Sequence, residues 1–256
     1  MHSPSDALPA ACLNCEAALT GPFCAQCGQA TSTRRFTWGY LLHEVLHSVW
    51  HVDKGVVYTI WEMLRRPGHT MRRYLAGQRV QLFKPLALVL LVAGIASFLI
   101  LALHVEVLPE MPARTPAERH GLAVSQVAMK YLAWFTVATL PGFALLSWGL
   151  LRRLRYNFVE HFMANALMMA TVMVLQMLFL PLLRYTQGTP QFGTVYVVEN
   201  LLMPLYQAWA FTTLARGAYQ LGGSLWRGIL ITALGLLLNV LVIGGLAELI
   251  LRLTPH

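Results

Sequence analysis

Long uncharged runs of apolar residues constrain this chain more than any other feature. Residues 86–103 read LALVLLVAGIASFLILAL, without one charged side chain. A helix needs about 20 such residues to cross the roughly 30 Å of hydrocarbon in a bilayer. Four later stretches approach or exceed that length, although Glu199 and Glu248 lie near the ends of two of them. The predicted crossings are residues 85–104, 127–151, 161–183, 197–215 and 225–251.

The composition agrees with a membrane protein. Hydrophobic residues make up 57% of the 256 residues and charged residues only 12%, whereas about 25% are charged in typical soluble domains. The first ten residues lack the basic start and the apolar centre of a cleavable signal peptide, so we expect insertion to depend on internal segments. We predict an all-α polytopic membrane bundle of about five transmembrane helices over residues 85–256.

The lysines and arginines are divided unevenly between the two sides of the predicted bundle. With the N-terminus inside, fourteen of the nineteen fall on the cytoplasmic side. Cytoplasmic loops of membrane proteins carry an excess of Lys and Arg. We therefore predict a multi-pass membrane protein with its N-terminus in the cytoplasm and its C-terminus on the opposite side of the membrane. The five cations on the outer side are Arg114, Arg119, Lys130, Arg184 and Arg252.

Two connections between crossings contain turn-forming residues. Residues 105–126 hold Pro109, Pro112 and Pro116, which disfavour a continuous helix, and we interpret the segment as an external loop. Residues 184–196, RYTQGTPQFGTVY, carry Gly and Pro turn signals and are interpreted as a second loop. No internal repeat is predicted.

All four cysteines of the chain fall in one short segment. Their spacing is C-x2-C-x8-C-x2-C. Two cysteines separated by two residues can direct both sulfurs of one tight turn at a single metal, and two such turns complete a tetrahedral thiolate cage. Gly28, which follows the last cysteine, suits a turn with positive φ. The predicted ligands of a structural Zn²⁺ are Cys12, Cys15, Cys24 and Cys27.

The predicted zinc ribbon covers residues 1–33, which are too few to bury a core, so the metal would supply the folding energy. Disulfides are a second interpretation, disfavoured because cytoplasmic thiols stay reduced. A catalytic or redox role is a third, disfavoured because four cysteine ligands leave no coordination position for a reacting water. Residues 12–27 contain no Lys or Arg, so we expect no nucleic-acid partner.

Residues 34–84 are predicted to form interfacial amphipathic helices. Residues 36–50 place apolar and aromatic side chains at three- and four-residue spacing. Two further helical stretches follow, one ending at Pro67 and one closed by Gly77. Helices with Trp and Tyr beside Arg and Lys commonly lie in the plane of the lipid interface, where cations meet headgroup phosphates. The predicted headgroup contacts are Arg72, Arg73, Arg79 and Lys84.

A stripe of three histidines lies on the first of these predicted helices. His43, His47 and His51 are four residues apart and share one helix face. The letters HEVLH match the H-E-x-x-H of zinc metalloproteases, which also need a third ligand and a substrate cleft. Three interpretations stay open: a membrane metalloprotease, a metal site without protease activity, and ordinary histidines at the lipid interface.

Glu160 and His161 open the third predicted crossing. Ionisable groups at membrane depth are costly and often functional, which favours a site for a headgroup, a proton or an ion. In a structural alternative, Glu160 complements the N-terminus of its helix and pairs with the neighbouring cluster of Arg152, Arg153 and Arg155. The candidate catalytic residues are His43, His47, His51, Glu160 and His161.

Several short motifs stand in order along most of the chain. They are Phe23-Cys24-x2-Cys27-Gly28-Gln29, then Asp53-Lys54-Gly55 with Thr59, then Pro67-Gly68 followed by Tyr74, Gly77, Arg79 and Pro85, and finally Glu160-His161. In these motifs the chain resembles an uncharacterised family of bacterial membrane proteins, described only as a domain of unknown function. The resemblance implies an N-terminal ribbon followed by a multi-helix membrane region, and it implies no activity. Together with the predicted orientation, it implies a multi-pass protein of the bacterial inner membrane with a periplasmic C-terminus.

Two classes of function fit these features. The first is a non-enzymatic inner-membrane scaffold, adaptor or transport-related component whose ribbon docks a cytoplasmic protein. Membrane lipids and a second copy of the chain are further candidate partners. The alternative is a lipid- or headgroup-modifying membrane enzyme that uses the interfacial His and Glu residues. Transport would require Glu160, Glu199 and Glu248 to line one polar path.

Overall fold

The computed structural model describes residues 11–33, 35–39, 55–105 and 115–253. Within these ranges the chain is helical, and β structure is confined to isolated bridges. We number the helices in chain order. They are α1 (Gly55–Arg65), α2 (Pro67–Leu75), α3 (Pro85–Leu103), α4 (Pro116–Lys130), α5 (Leu132–Ala138), α6 (Leu140–Leu150), α7 (Phe158–Thr186), α8 (Gln191–Ala215) and α9 (Leu221–Leu253), with a 3-10 turn at Arg152–Leu154.

Four helical segments of the described chain are long and apolar enough to cross a membrane. They are Pro85–Leu103, Leu132–Leu150, Phe158–Thr186 and Leu221–Leu253. Large apolar side chains along them are exposed, including Phe98 on α3 and Leu237 and Val240 on α9. Lipid solvates such side chains and water does not, so this exposure fits a bilayer. The protein is a multi-pass all-α membrane bundle, as predicted.

Helix α8 is not among these four segments, although it was predicted as a crossing. Its 25 residues would span roughly 37 Å, but polar residues such as Glu199 lower its hydropathy. Its packing nevertheless takes it from one end of the bundle to the other. Phe192, near its start, belongs to an apolar cluster with Leu183 of α7, and Thr213, near its end, accepts a hydrogen bond from the backbone of Gly68 in α2. We conclude that α8 traverses the bundle antiparallel to α7.

The two predicted loops are shorter than the sequence suggested. Pro116 begins helix α4 instead of interrupting it, because a proline in the first turn has no helical N–H to lose. Thr115 and Glu118 form a reciprocal capping box there, with hydrogen bonds of 3.0 and 3.2 Å. Residues 191–196 of the second predicted loop belong to α8, so that only residues 187–190 connect it to α7.

Cationic side chains gather at the end of the bundle where α8 and α6 finish. Arg72 donates to the carbonyls of Thr213 and Leu214 in the last turn of α8. Arg227 donates to the carbonyl of Leu150 at the end of α6, at 3.1 Å. The last carbonyls of a helix have no helical donor, and cations stabilise them. The bundle therefore has one cation-rich end, where side chains from other helices complete the helix termini.

Helix α2 is packed into this end of the bundle. Most of its residues are buried, whereas α1 keeps the aromatic ring of Trp61 exposed. The two ends predicted for these helices are confirmed, since α1 stops before Pro67 and α2 is followed by Gly77 at φ +102°. A Cβ atom on Gly68 would overlap the backbone of α8. Glycine at this position thus allows α2 and α8 to touch backbone to backbone.

Replacing Gly68 by alanine should destabilise the protein by about 2–3 kcal/mol, because the added methyl group meets backbone that cannot rotate away. The matched control is Gly94→Ala in α3, where an added Cβ meets nothing within 4 Å and alanine favours the helix. Thermal unfolding in detergent micelles measures both variants. Equal midpoints for the two would contradict the backbone contact.

Because α8 traverses the bundle, the chain should cross the membrane an odd number of times. Reporters fused to the two ends of the chain should therefore lie on opposite sides. Paired fusions to alkaline phosphatase, which is active only outside the cytoplasm, and to a fluorescent protein that folds inside it, measure this directly. Both ends on one side would show that α8 does not cross.

Candidate metal centre and its attachment to the bundle

The ribbon consists of two knuckles of the same design. In the first, the N–H of Cys12 donates to the carbonyl of Ala17 at 2.9 Å, and the N–H of Glu16 donates to the carbonyl of Cys12 at 2.8 Å. In the second knuckle, the corresponding bonds form around Cys24 at 2.8 and 2.9 Å. Each knuckle thus closes a tight turn directly after its second cysteine.

These knuckles are a short internal repeat, contrary to the expectation of none. Both read C-x2-C-x2-A, and Glu16 at φ 62° occupies the place that Gly28 holds at φ 75°. The turn predicted at Gly28 is confirmed. Glu16 adopts the same left-handed conformation with a Cβ, which costs about 1–2 kcal/mol. The repeat is present in the sequence, but two copies of seven residues are too short to be identified as a repeat until the backbone shows that both form the same turn.

The four cysteine sulfurs converge on one point. All four Sγ atoms lie within 4.8 Å of one another, with 3.6 Å between Cys12 and Cys27 and 3.5 Å between Cys15 and Cys24. A tetrahedral site with metal–sulfur bonds of about 2.3 Å sets its sulfurs about 3.8 Å apart. The cysteines are free thiols, not the disulfides of the second interpretation. The cage therefore has the donor atoms and the size of a four-thiolate metal site.

The thiols of this cage have different acidities. Backbone N–H groups of Cys27 and Gln26 donate to the Cys24 sulfur and lower the pKa of that thiol to about 7. For Cys15 the backbone at Ala17 favours the thiolate, but burial and hydrogen bonds with the other thiols outweigh it and raise the pKa to about 12. Negative charge on one sulfur disfavours charge on the next. A bound cation would relieve that repulsion.

The ribbon is fixed to the bundle beside α2. The side chain of Leu13 packs on Gly77, so closely that a Cβ there would lie 2.8 Å from it. Gln29 accepts a hydrogen bond from the backbone N–H of Arg79 through Oε1, at 3.2 Å. The guanidinium of Arg79 in turn lies 3.8 Å from the centre of the buried Phe36 ring. Both knuckles thus contact the segment that follows α2.

The segment after the ribbon is fixed to the start of α7. Arg35 makes a two-point ion pair with Glu160, at 2.8 Å from Nε and 2.6 Å from Nη2. The Glu160 side chain is 2% exposed and forms a capping box with Asn157, with hydrogen bonds of 2.8 and 2.9 Å. The Asn157 amide also donates to the carbonyl of Phe36 at 2.9 Å. Glu160 therefore complements the N-terminus of its helix, as in the structural alternative, but its arginine is Arg35 and not a member of the expected cluster at 152–155.

His161 faces the interior of the bundle. Its Nδ1 lies 3.0 Å from Oγ of Ser147 in α6, and the amide of Asn165 donates to the same oxygen at 2.8 Å. The His161 Nε2 and the Asn165 Oδ1 have no hydrogen-bond partner among the described residues. A hydroxyl and an imidazole at this distance resemble a nucleophile and its base, but His161 is 1% exposed and Ser147 is fully buried. The three side chains join α6 to α7, and a substrate has no access to them.

His43, His47 and His51 lie outside the described residues. Their metal site, and their convergence with Glu160, stay predictions.

The predicted headgroup cations have protein contacts of their own. Arg72 completes the end of α8, and Arg73 donates to Gln78 Oε1 at 2.7 Å. Arg79 lies on an aromatic ring, and Lys84 is exposed at the start of α3. Contact with lipid phosphates stays a prediction for all four.

The three acids proposed for a transport path have separate surroundings. Glu160 binds Arg35 at the ribbon end. Glu248 binds Arg252 and His120, at 2.8 Å each. Glu199 lines an internal cavity to which neither of the other two acids contributes. The described residues therefore do not join these acids into one polar path.

Comparison with known proteins supports the family resemblance in one segment. The model of a family described as a protein of unknown function (DUF3667) matches residues 53–96. These residues include α1, α2 and the first part of α3, together with the hydrogen bond of 2.7 Å from the backbone of Phe83 to the Thr59 hydroxyl. Searches of curated proteins and of solved structures gave no match.

Removing Arg35 should loosen the attachment of the ribbon. Arg35→Ala leaves the buried Glu160 carboxylate without its cation, and we expect a loss of about 1–2 kcal/mol, reduced from that of a fully buried pair because the arginine side chain is 64% exposed. Arg152→Ala, at an exposed position in the same region, should change stability by less than about 0.5 kcal/mol. Thermal unfolding and limited proteolysis after the ribbon measure the effect. Indistinguishable variants would show that the ion pair does not hold the ribbon.

Proposed function

We propose that this protein is a non-enzymatic scaffold or adaptor of the bacterial inner membrane, which presents a zinc-bound ribbon to a cytoplasmic protein. The proposal depends above all on one observation: the four-thiol cage is attached to the bundle through Leu13, Gln29 and the segment of Arg35 and Phe36. A ribbon that only moved on a tether would need none of these contacts. Fixed in this way, it holds a surface at a constant position relative to the membrane.

The donor set supports zinc as the metal of the ribbon. Four thiolates at tetrahedral spacing favour Zn²⁺ over Mg²⁺ or Ca²⁺, which prefer oxygen ligands. All four ligands are protein side chains, so no position is open for a reacting water. The ion would hold the two knuckles together, and its role would be structural and not catalytic.

The exposed surface of the ribbon suits a protein partner. Phe23 is 63% exposed at the start of the second knuckle, and Leu13 of the first knuckle is also partly exposed. Aromatic and aliphatic side chains are the usual anchors of protein interfaces. Since residues 12–27 carry no Lys or Arg, this surface is poorly suited to nucleic acid.

The charge distribution supports the proposed orientation. The ribbon contacts the end of the bundle where Arg35, Arg72 and Arg227 lie. Cations concentrate on the cytoplasmic side of membrane proteins and are attracted by anionic headgroups. We therefore place the ribbon in the cytoplasm. The lipid-modifying alternative has less support, because Glu160 and His161 are both buried in contacts with protein.

Photo-crosslinking in living cells tests the adaptor function. A photoreactive phenylalanine analogue at Phe23 should give a discrete protein adduct, whereas the same analogue at Phe98, an exposed aromatic position on α3, should give none. Cys24→Ser removes one of four ligands, so it should abolish both the Phe23 adduct and the zinc content of the purified protein, which metal analysis should find at one ion per chain.

Three results would contradict this proposal. They are a Phe23 position without any adduct, an adduct that survives in the zinc-free Cys24→Ser variant, and wild-type protein purified without zinc. An adduct at twice the mass of the chain would identify a second copy as the partner and replace the adaptor function by self-association.

A further inference from the structure

A cavity of about 190 Å³ lies between α3, α5, α7 and α8. It is in the half of the bundle away from the ribbon, since its walls include Ile100 near the end of α3 and Leu180 near the end of α7. Apolar side chains, among them Met173 and Met177, form most of its surface, and a few polar groups interrupt them. Binding sites for small molecules have this composition.

Glu199 is the charged residue of the cavity wall. The residue is 7% exposed, and it lines the cavity. The acids of the neighbouring membrane helices are both paired, Glu160 with Arg35 and Glu248 with Arg252. Among the described residues, the Glu199 carboxylate has no hydrogen-bond or ion-pair partner. An unpaired carboxylate at this depth is a functional site by default.

Two prolines add hydrogen-bond acceptors beside this carboxylate. Pro181 lies inside α7 and Pro204 inside α8. A proline has no N–H, so it leaves the carbonyl four residues earlier without its helical donor. Those carbonyls belong to Met177 and Asn200, and both residues line the cavity. Each proline therefore frees a carbonyl on a residue of the cavity wall.

These observations define the chemistry of a ligand. The cavity wall contains a carboxylate and two residues with freed carbonyls, and no Lys, Arg or His. Neutral donors such as the Gln176 amide are present in the wall, but no positive charge balances the carboxylate. An ammonium group carries three N–H donors and one positive charge, and the ring of Tyr196 in the same wall can attract it through its face.

We propose that this cavity binds a small organic cation, a primary ammonium group attached to an apolar body. The ammonium group pairs with Glu199 and donates to the carbonyls freed by Pro181 and Pro204. The apolar body lies against the methionines. The volume equals that of roughly six water molecules at about 30 Å³ each, too large for a single bare metal ion. This site is additional to the adaptor function and does not depend on it.

A groove beside the cavity offers a route for the ligand. It has a volume of about 570 Å³ between α3 and the junction of α4 with α5. It shares four wall residues with the cavity, which are Ile100, Met129, Leu132 and Ala133. Lys130 and His104 line this groove and not the cavity itself. The ammonium group is thus drawn inward, away from the positive side chain and toward the carboxylate.

Calorimetry on the purified, zinc-loaded full chain in detergent tests this site with benzylammonium as the probe. Benzyl alcohol, of similar shape without the charge, and benzoate, of opposite charge, should bind at least tenfold more weakly. Glu199→Gln keeps the shape of the side chain and should weaken benzylammonium binding at least tenfold. Glu248→Gln, the matched control on α9, should leave it unchanged.

A second variant keeps the test decisive if Glu199→Gln fails to fold. Pro204→Ala restores a helical hydrogen bond and favours folding of α8, so loss of binding in this variant would not reflect misfolding. We expect this variant to bind benzylammonium several-fold more weakly, because the Asn200 carbonyl then accepts the restored helical hydrogen bond. Thermal stability of each variant, measured without the probe, confirms that the protein is intact.

Several outcomes would overturn the site. They are a wild-type protein that does not bind benzylammonium, unchanged affinity in both Glu199→Gln and Pro204→Ala, and equal affinity for benzyl alcohol, which would indicate simple partition of an aromatic ring. Crosslinking from Phe23 is unaffected by any of these results, so failure of the cation site and failure of the adaptor function are distinguishable.

Discussion

Every backbone N–H and C=O group that faces lipid must find a partner within the protein, and the rest of this structure depends on how that is achieved at helix ends. Arg72 and Arg227 close the last turns of α8 and α6, and Asn157 with Glu160 closes the first turn of α7. The capping box of α7 is local, but the two arginines come from parts of the sequence far from the carbonyls that they bind. The helix termini at one end of the bundle are consequently joined to one another and to the ribbon.

The sequence predicted the elements well and their contacts poorly. The uncharged run gave a crossing at 85–104 against the observed Pro85–Leu103, and cysteine spacing alone predicted the cage, because both signals are local. The prediction of a loop at 105–126 was wrong for its second half, which belongs to helix α4, because proline can begin a helix as well as end one. The partner of Glu160 is Arg35, 125 residues away, and the partner of His161 is on another helix. No spacing rule indicates such pairs, and the freed carbonyls near Glu199 become meaningful only when the two helices are placed side by side.

Helix α7 connects the two sites of the protein. Glu160, in its first turn, receives the segment that follows the ribbon, and Gln176 and Met177 contribute to the cavity wall further along the same helix. Between them the helix is almost entirely buried, and a packed helix moves as a unit more readily than it bends. Both sites therefore border the same packed helix.

The paired design of the ribbon has a consequence for assembly. Each knuckle supplies half of the sulfurs, and the contacts of Cys12 with Cys27 and of Cys15 with Cys24 run from one knuckle to the other. Only the eight residues between Cys15 and Cys24 keep both halves on one polypeptide. A second molecule of the protein has the same two knuckles. If two chains exchanged one knuckle each, both four-cysteine cages would form with the same contacts as within one chain. A shorter or stiffer connection between the knuckles would therefore favour a domain-swapped dimer, in which each four-cysteine site is shared by two chains.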